Sequence, residues 1–249
     1  MRKGIVFAKR QASCIDKRGS TAIPPYSTKM MKLRLLLMLW LREKLFHGWG
    51  TVPEANQEIV KDGLIFSGLK KTKKTLILDL DETLVHSVTI GSTMRSGHVV
   101  EVKLENQHAI LYYVHKRPYC HWFLTEVAEY FSLVLFTASV QQYADPVINC
   151  IEEEKPIFER KLYRQDCINE GGAYVKDIGK VEKSLSNVLI IDNSPMSYCL
   201  HKENAIPIEG WLNDPTDIDL LSLVPVLRAV STIHDVRSFV VMRDGEKSY

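Results

Sequence analysis

Asp79 and Asp81 stand one residue apart at the end of the apolar run "TLILDL", residues 75–80. In β geometry side chains alternate faces, so the two acids are expected to project the same way while Leu80 points back into the protein. Two carboxylates held side by side repel each other, and a cation or a shared proton would relieve that repulsion. Such a pair is a site candidate rather than packing. The pattern recurs twice. "SLVLFTAS" (132–139) is a second apolar run that closes on the hydroxyl residues Thr137 and Ser139, and "NVLIIDNSP" (187–195) drives four apolar residues into Asp192 and Asn193. One acid at a strand end is common; three polar strand ends in order, with Lys176 between the second and third, form a constellation.

For those ends to meet, the apolar runs must be neighbouring strands of one sheet. "GHVVEVKL" (97–104) and "HAILYYVH" (108–115) read as an antiparallel hairpin across "ENQ". "PYCHWFLTEVAEYF" (118–131) reads as a helix with Pro118 in its first turn, and "VQQYADPVINCIEE" (140–153) as another that tolerates Pro146. Strands alternating with helices predict an α/β fold: a Rossmann-like, mainly parallel sheet flanked by helices, with a small β-hairpin insertion. In such sheets the site lies beyond the carboxyl ends of the strands. Tyr112 and Tyr113 of the hairpin read as packing residues.

The chain has 249 residues, 45% hydrophobic and 25% charged, enough for one sizeable core with an appendage. Its net charge of +2 hides an asymmetry. Residues 1–74 carry 16 Lys and Arg against 5 Asp and Glu, or +11, and residues 75–249 carry 16 against 25, or −9. A basic arm therefore precedes an acidic domain, and charge alone does not choose among a membrane, a nucleic acid and an acidic partner. The five cysteines (14, 120, 150, 167, 199) are odd in number, with no C-x-x-C pair, which argues for reduced thiols in a cytosolic or nuclear setting and against a zinc site or disulfide framework. The eight histidines show no metal-ligand spacing either.

Two units follow: a basic, partly disordered arm over 1–69 and a domain over 70–245 that begins at the shift from "KKTKK" to "TLILDL". Within the arm, "MKLRLLLMLWLREKLF" (31–46) marks an apolar helix at about 30–46. Its uninterrupted apolar core, Leu35 to Leu41, is seven residues long, against the ~20 that span a bilayer. The flanking Lys32, Arg34, Arg42 and Lys44 suit a helix lying in a membrane interface, and equally one packed on the domain or a partner. With Asp16 and Glu43 the only acids in the first 50 residues, the arm also overlaps organelle transit-peptide composition, although its lysines and prolines fit that reading less well.

"LDLDETLVHS", "LVLFTAS", "YADPV", "GAYVKDI" and "VLIIDNSP" together resemble the motifs of the haloacid dehalogenase superfamily in its FCP/SCP-type protein phosphatase branch, over residues 74–243. "GHVVEV", "VHKRP", "NAIPIEGW" and "DPTDIDLLSLVPVL" are most similar to the Dullard-type nuclear envelope phosphatases within it. The resemblance implies Mg2+-dependent serine/threonine phosphatase activity through an aspartyl-phosphate. Asp79 would be the nucleophile, and Asp81 the acid that protonates the leaving oxygen and then the base for water. Asp79, the Asp81 main-chain carbonyl and Asn193 would hold the metal, with Asp192 orienting a water on it. Thr137 and Lys176 would bind the phosphoryl oxygens, with Arg164 of "LYRQDC" also near the phosphate, and Thr83 and Ser139 supporting. Gly171-Gly172 introduces an altered loop just before Lys176.

The resemblance further implies a phosphoprotein substrate of the lipin type at the nuclear envelope and endoplasmic reticulum and a small membrane regulatory subunit; the basic flanks of residues 30–46 add an expected peripheral membrane contact, and no direct nucleic-acid contact is expected. Two alternatives remain open: a phosphatase of the RNA polymerase II tail resident in the nucleus, and a non-catalytic docking module of the same fold, against which the intact acidic and lysine set argues. A small-metabolite phosphatase fits less well, because no large cap domain is inserted between the first motifs.

Overall fold

The structure is a computed structural model that describes residues 73–245 apart from 90, 92–96, 104–108 and 154. The arm over 1–69, its apolar segment at about 30–46, and the "ENQ" turn lie outside the described residues.

The central sheet is built from runs too apolar to leave either face in water. Strands β1 (Lys74–Leu78), β5 (Phe131–Phe136) and β9 (Val188–Asp192) are almost wholly buried, and β6 (Arg160–Leu162) and β10 (Ala205–Pro207) complete the sheet. Their order is β10-β9-β1-β5-β6, and every pair is parallel. The two faces divide the strand residues by the period of two. Leu76, Leu78, Leu133, Leu135, Leu189 and Ile191 enter one core. Ile77, Val134, Phe136, Val188 and Ile190 enter the other. Burying a side chain of this size contributes about 1.5–3 kcal/mol, so continuous apolar strands are stable only between two covered faces.

The first face is covered by helices α1 (Cys120–Ala128), α2 (Gln141–Glu152) and α3 (Asp219–Thr232), each of which contributes a buried apolar stripe. The second core is smaller and closes on Ile178, Val181, Tyr198 and Ala205, carried largely by single-turn 3-10 segments and their flanks. Helix α4 (Val236–Gly245) ends the described chain, with Val236 and Val240 in the first core. Among the described residues no helix is long and apolar enough to cross a membrane.

Between β1 and α1 lies the insertion. The expected hairpin pairs antiparallel as β3 (His98–Val102) and β4 (Ile110–Lys116), and β2 (Val85–Thr89) joins the other edge of β4 to make three strands. Two other boundaries differ from expectation. The helix expected from Pro118 begins at Cys120, because Tyr119 takes a left-handed conformation (φ 63) in a turn before it. At its other end the helix stops at Ala128, and Phe131 is buried as the first residue of β5.

Candidate active site

Strand register accounts for the meeting of the polar ends. Leu78 of β1 lies beside Leu135 of β5 and Ile191 of β9. One residue further on, Asp79, Phe136 and Asp192 are therefore level, with Thr137 just above. The Asp79 amide donates to the Ile191 carbonyl at 3.0 Å, which extends the ladder by one bond past β1. The expectation that Asp79 and Asp81 share a strand face is replaced by a different arrangement. Strand β1 stops at Leu78, and Asp81 sits in the following turn, bridged to Val85. Thr83 in that turn is wholly buried, and its hydroxyl donates to Asp79 Oδ2 at 3.2 Å.

Lys176 is delivered by a second hairpin, β7 (Ile168–Glu170) and β8 (Ala173–Val175). Its turn is Gly171-Gly172, at φ +58 and +90, a left-handed pair that glycine adopts without strain. The altered loop is thus a tight turn that leads straight to the lysine. Lys176 has no exposed surface, and its Nζ lies 2.6 Å from Asp79 Oδ1 and 2.6 Å from Asp192 Oδ2. Burial alone would push its ammonium down, but the charges of Asp192 and Asp79 outweigh that and hold it above its ordinary range. Asp192 is also buried; desolvation and the neighbouring Asp79 raise its carboxyl, against the pull of Lys176 and of the Ser194 amide at 2.7 Å.

Asp81 faces other partners. Its Oδ2 accepts from Ser139 Oγ at 2.6 Å and its Oδ1 from the Tyr143 hydroxyl at 2.7 Å. Burial raises this carboxyl, aided by the charges of Asp79 and Glu82, while the two hydroxyl donors pull it down; the balance is upward. Thr137 is wholly buried and its Oγ1 accepts from the Ser139 amide at 3.0 Å, which pins the turn after β5. Tyr143, in the first turn of α2, is a site residue that the sequence signals only through its place in "YADPV".

Arg164 opens a 3-10 turn (Arg164–Asp166). Its Nε donates to the Ala138 carbonyl at 2.7 Å and its guanidinium lies 4.8 Å from the Tyr174 ring centroid. It is thereby tied to the loop that carries Thr137 and Ser139. Asn193 follows β9, and Gly210 backs it so closely that a Cβ there would come within 3.1 Å of Asn193 Nδ2. The donors expected to hold a metal (Asp79, the Asp81 carbonyl, Asp192 and Asn193) are all oxygen ligands, as magnesium requires. Lys176 is shared by two carboxylates, Asp79 and Asp192, so a further cation suits the charge balance. Among the described residues no cluster of three or more His, Cys, Asp or Glu is placed to hold a metal by side chains alone, so any metal here needs the main-chain and amide oxygens as well.

A second buried cation, also without a role from sequence, supports the site from below. Arg117 is 1% exposed; it grips Asp217 with Nε at 2.8 Å and Nη2 at 2.7 Å, and Nη2 also reaches Asp219 at 3.1 Å. Its Nη1 donates to the carbonyls of Glu209 at 3.0 Å and Thr83 at 3.4 Å. One side chain therefore ties the Asp79-contacting turn to the loop that backs Asn193 and to the start of α3.

Residues 74–237 match the family model described as NLI interacting factor-like phosphatase. The chain belongs to this family. It is 53% identical over 174 residues to Nuclear envelope morphology protein 1 of Schizosaccharomyces pombe, covering 70% of this chain and 37% of that one. It is 43% identical over 172 residues to CTD nuclear envelope phosphatase 1 of Xenopus laevis, covering 67% of this chain and 70% of that one. A solved structure of Fcp1, an essential RNA polymerase II CTD phosphatase, aligns at 17% identity and a TM-score of 0.49, over 70% of this chain and 62% of that one. The chain spans 37% and 43% of the length of its Schizosaccharomyces pombe and Saccharomyces cerevisiae relatives.

Proposed function

We propose that this member of the NLI interacting factor-like phosphatase family is a Mg2+-dependent serine/threonine protein phosphatase that works through an aspartyl-phosphate on Asp79. The observation that carries the reading is the buried Lys176 held 2.6 Å from both Asp79 and Asp192, with Asp81 on separate hydroxyl partners. Two aspartates so close in sequence and so differently partnered suit two different tasks.

Lys176 draws the anionic phosphoryl group to Asp79, which it orients together with the Thr83 hydroxyl. Asp79 attacks phosphorus, and Asp81 gives a proton to the departing serine or threonine oxygen. The Asp81 carboxylate then takes a proton from the water that releases phosphate from Asp79. Charge on the phosphoryl oxygens is met by Lys176 and by Thr137, with Arg164 at the rim. Asp79, Asn193 and the Asp81 carbonyl would hold magnesium, with Asp192 beside them, and the ion would supply the further positive charge that a carboxylate needs to approach a phosphate ester.

Relatives named for the nuclear envelope support work at that membrane; the resemblance stated from sequence adds the endoplasmic reticulum and a small membrane subunit as partner, and the basic residues flanking the apolar run add a peripheral contact through residues 30–46. The substrate we assign is a lipin-type phosphatidate phosphatase, on the family resemblance. The insertion has only three described strands, which suits an open site and a polypeptide loop rather than a small metabolite. Hydrolysis of an aryl phosphate and a phosphoserine peptide by the full chain, with and without magnesium and beside Asp79→Asn, tests the reading. Magnesium-dependent turnover lost in the variant is expected; turnover that persists in the variant would refute the assignment of Asp79.

A further inference from the structure

The two oxygens of the Asp81 carboxyl are engaged separately, Oδ1 by Tyr143 and Oδ2 by Ser139. A terminal carboxyl otherwise rotates over a broad range. One donor on each oxygen fixes both its plane and its direction. Both donors stand on rigid supports. Ser139 lies in the turn just past β5 and has its amide pinned by Thr137. Tyr143 lies in the first turn of α2, and its ring meets Tyr112 of β4 edge-on, with centroids 5.3 Å apart at 71°.

We propose that Tyr143 is a positioning residue for proton transfer at Asp81, acting with Ser139 to hold the carboxyl in the orientation that serves a poor leaving group. The inference rests on the phosphatase reading and deepens it. As the Asp79–phosphorus bond forms and the phosphorus–seryl oxygen bond breaks, the electron pair left on the seryl oxygen takes a proton from Asp81. The carboxylate that remains keeps two hydroxyl donors, which stabilise it until it accepts a proton from the attacking water. An alkoxide needs that proton in the transition state, whereas a nitrophenolate departs almost without help. Loss of the Tyr143 hydroxyl therefore weighs on serine phosphate far more than on an activated aryl phosphate. Through Tyr112, the insertion braces the acid as well as walling the site.

The test compares the full chain with Tyr143→Phe, which keeps the ring and its contact with Tyr112. The value kcat/KM reports the first step, in which the leaving group departs, and is measured with magnesium on a phosphoserine peptide and on phenyl phosphates of graded leaving-group acidity. The expected result is a loss about tenfold or more larger on the peptide than on p-nitrophenyl phosphate, with a steeper dependence of log kcat/KM on leaving-group pKa across the series. Ser139→Ala is expected to show the same split, and it keeps the proposal testable if Tyr143→Phe fails to fold. Equal losses on all substrates, or an unchanged slope in the folded variants, would overturn the proposal and leave Tyr143 a packing residue. A wild-type chain that hydrolyses none of these esters would overturn the phosphatase reading itself, and this proposal with it.

Discussion

Lys176 and Arg117 are both shut away from water and both face two aspartates, yet they are buried for different ends. Arg117 spends its fork on Asp217, Asp219 and two main-chain carbonyls, so its donors end on the protein itself. Lys176 is a point charge on Asp79 and Asp192, whose oxygens stand at the open ends of the strands. A planar guanidinium locks a geometry, whereas a compact ammonium leaves lone pairs on its partners for a ligand. A cation whose partners close on one another is architecture. A cation whose partners lie where the polar strand ends converge is a site.

The sharpest way to break this contrast is to remove each cation in turn. Lys176→Met is expected to lower kcat/KM by about 10²–10³-fold, the scale of losing one preorganised charge at the transition state. A phosphatase assay on the folded variant checks it, and near-normal turnover would return Lys176 to the architectural class. Arg117→Leu should instead appear first in stability, with about 3–5 kcal/mol lost in denaturant unfolding, because it strands Asp217 and Asp219. Arg117→Lys should not rescue it, since an ammonium cannot reproduce the fork.

Glu152 extends the comparison to a buried anion of the architectural kind. Its Oε1 accepts from the amides of Ile157 at 2.9 Å and Phe158 at 3.1 Å, and its Oε2 from Lys161 at 2.6 Å. Burial pushes its carboxyl up, but the Lys161 and backbone hydrogen bonds together hold it below the ordinary 4.5. A group lowered in the folded state contributes stability above its unfolded pKa and loses it as pH falls through the folded value. Glu152→Gln should therefore cost about 1–3 kcal/mol near neutral pH, and the gap from wild type should close below about pH 4.5 in unfolding curves. The smallest effect belongs to the turn that delivers the lysine. Gly172→Ala at φ +90, where a Cβ meets nothing within 4 Å, should cost about 1 kcal/mol of backbone strain with the site still formed. A melting curve measures the cost, and a collapse of activity would show that Lys176 depends on this turn more than its own ion pairs suggest.

The strand ends were legible because a buried strand has to be apolar throughout, so its first polar residue marks where it leaves the core; Asp79, Thr137 and Asp192 all announce themselves so. Strand β2 did not, since "VHSVT" mixes polar residues into a half-buried edge directly behind the Asp81 turn. Arg117 was illegible for another reason. Its carboxylate partners lie 100 and 102 residues away, and only the folded chain shows that they meet. Tyr143 was hidden by its type, because an aromatic at the start of a helix reads as packing until its hydroxyl is placed. The shift of α1 away from Pro118 goes with the left-handed Tyr119, a conformation that local propensity does not announce for a tyrosine.

The most direct test of the account is to quench turnover with acid, in the presence of magnesium and a phosphopeptide, and locate the phosphoryl group by peptide mass spectrometry. The account predicts it on Asp79, with none trapped in Asp79→Asn. A phosphoryl group on another residue, or sustained turnover with none on Asp79, would contradict it.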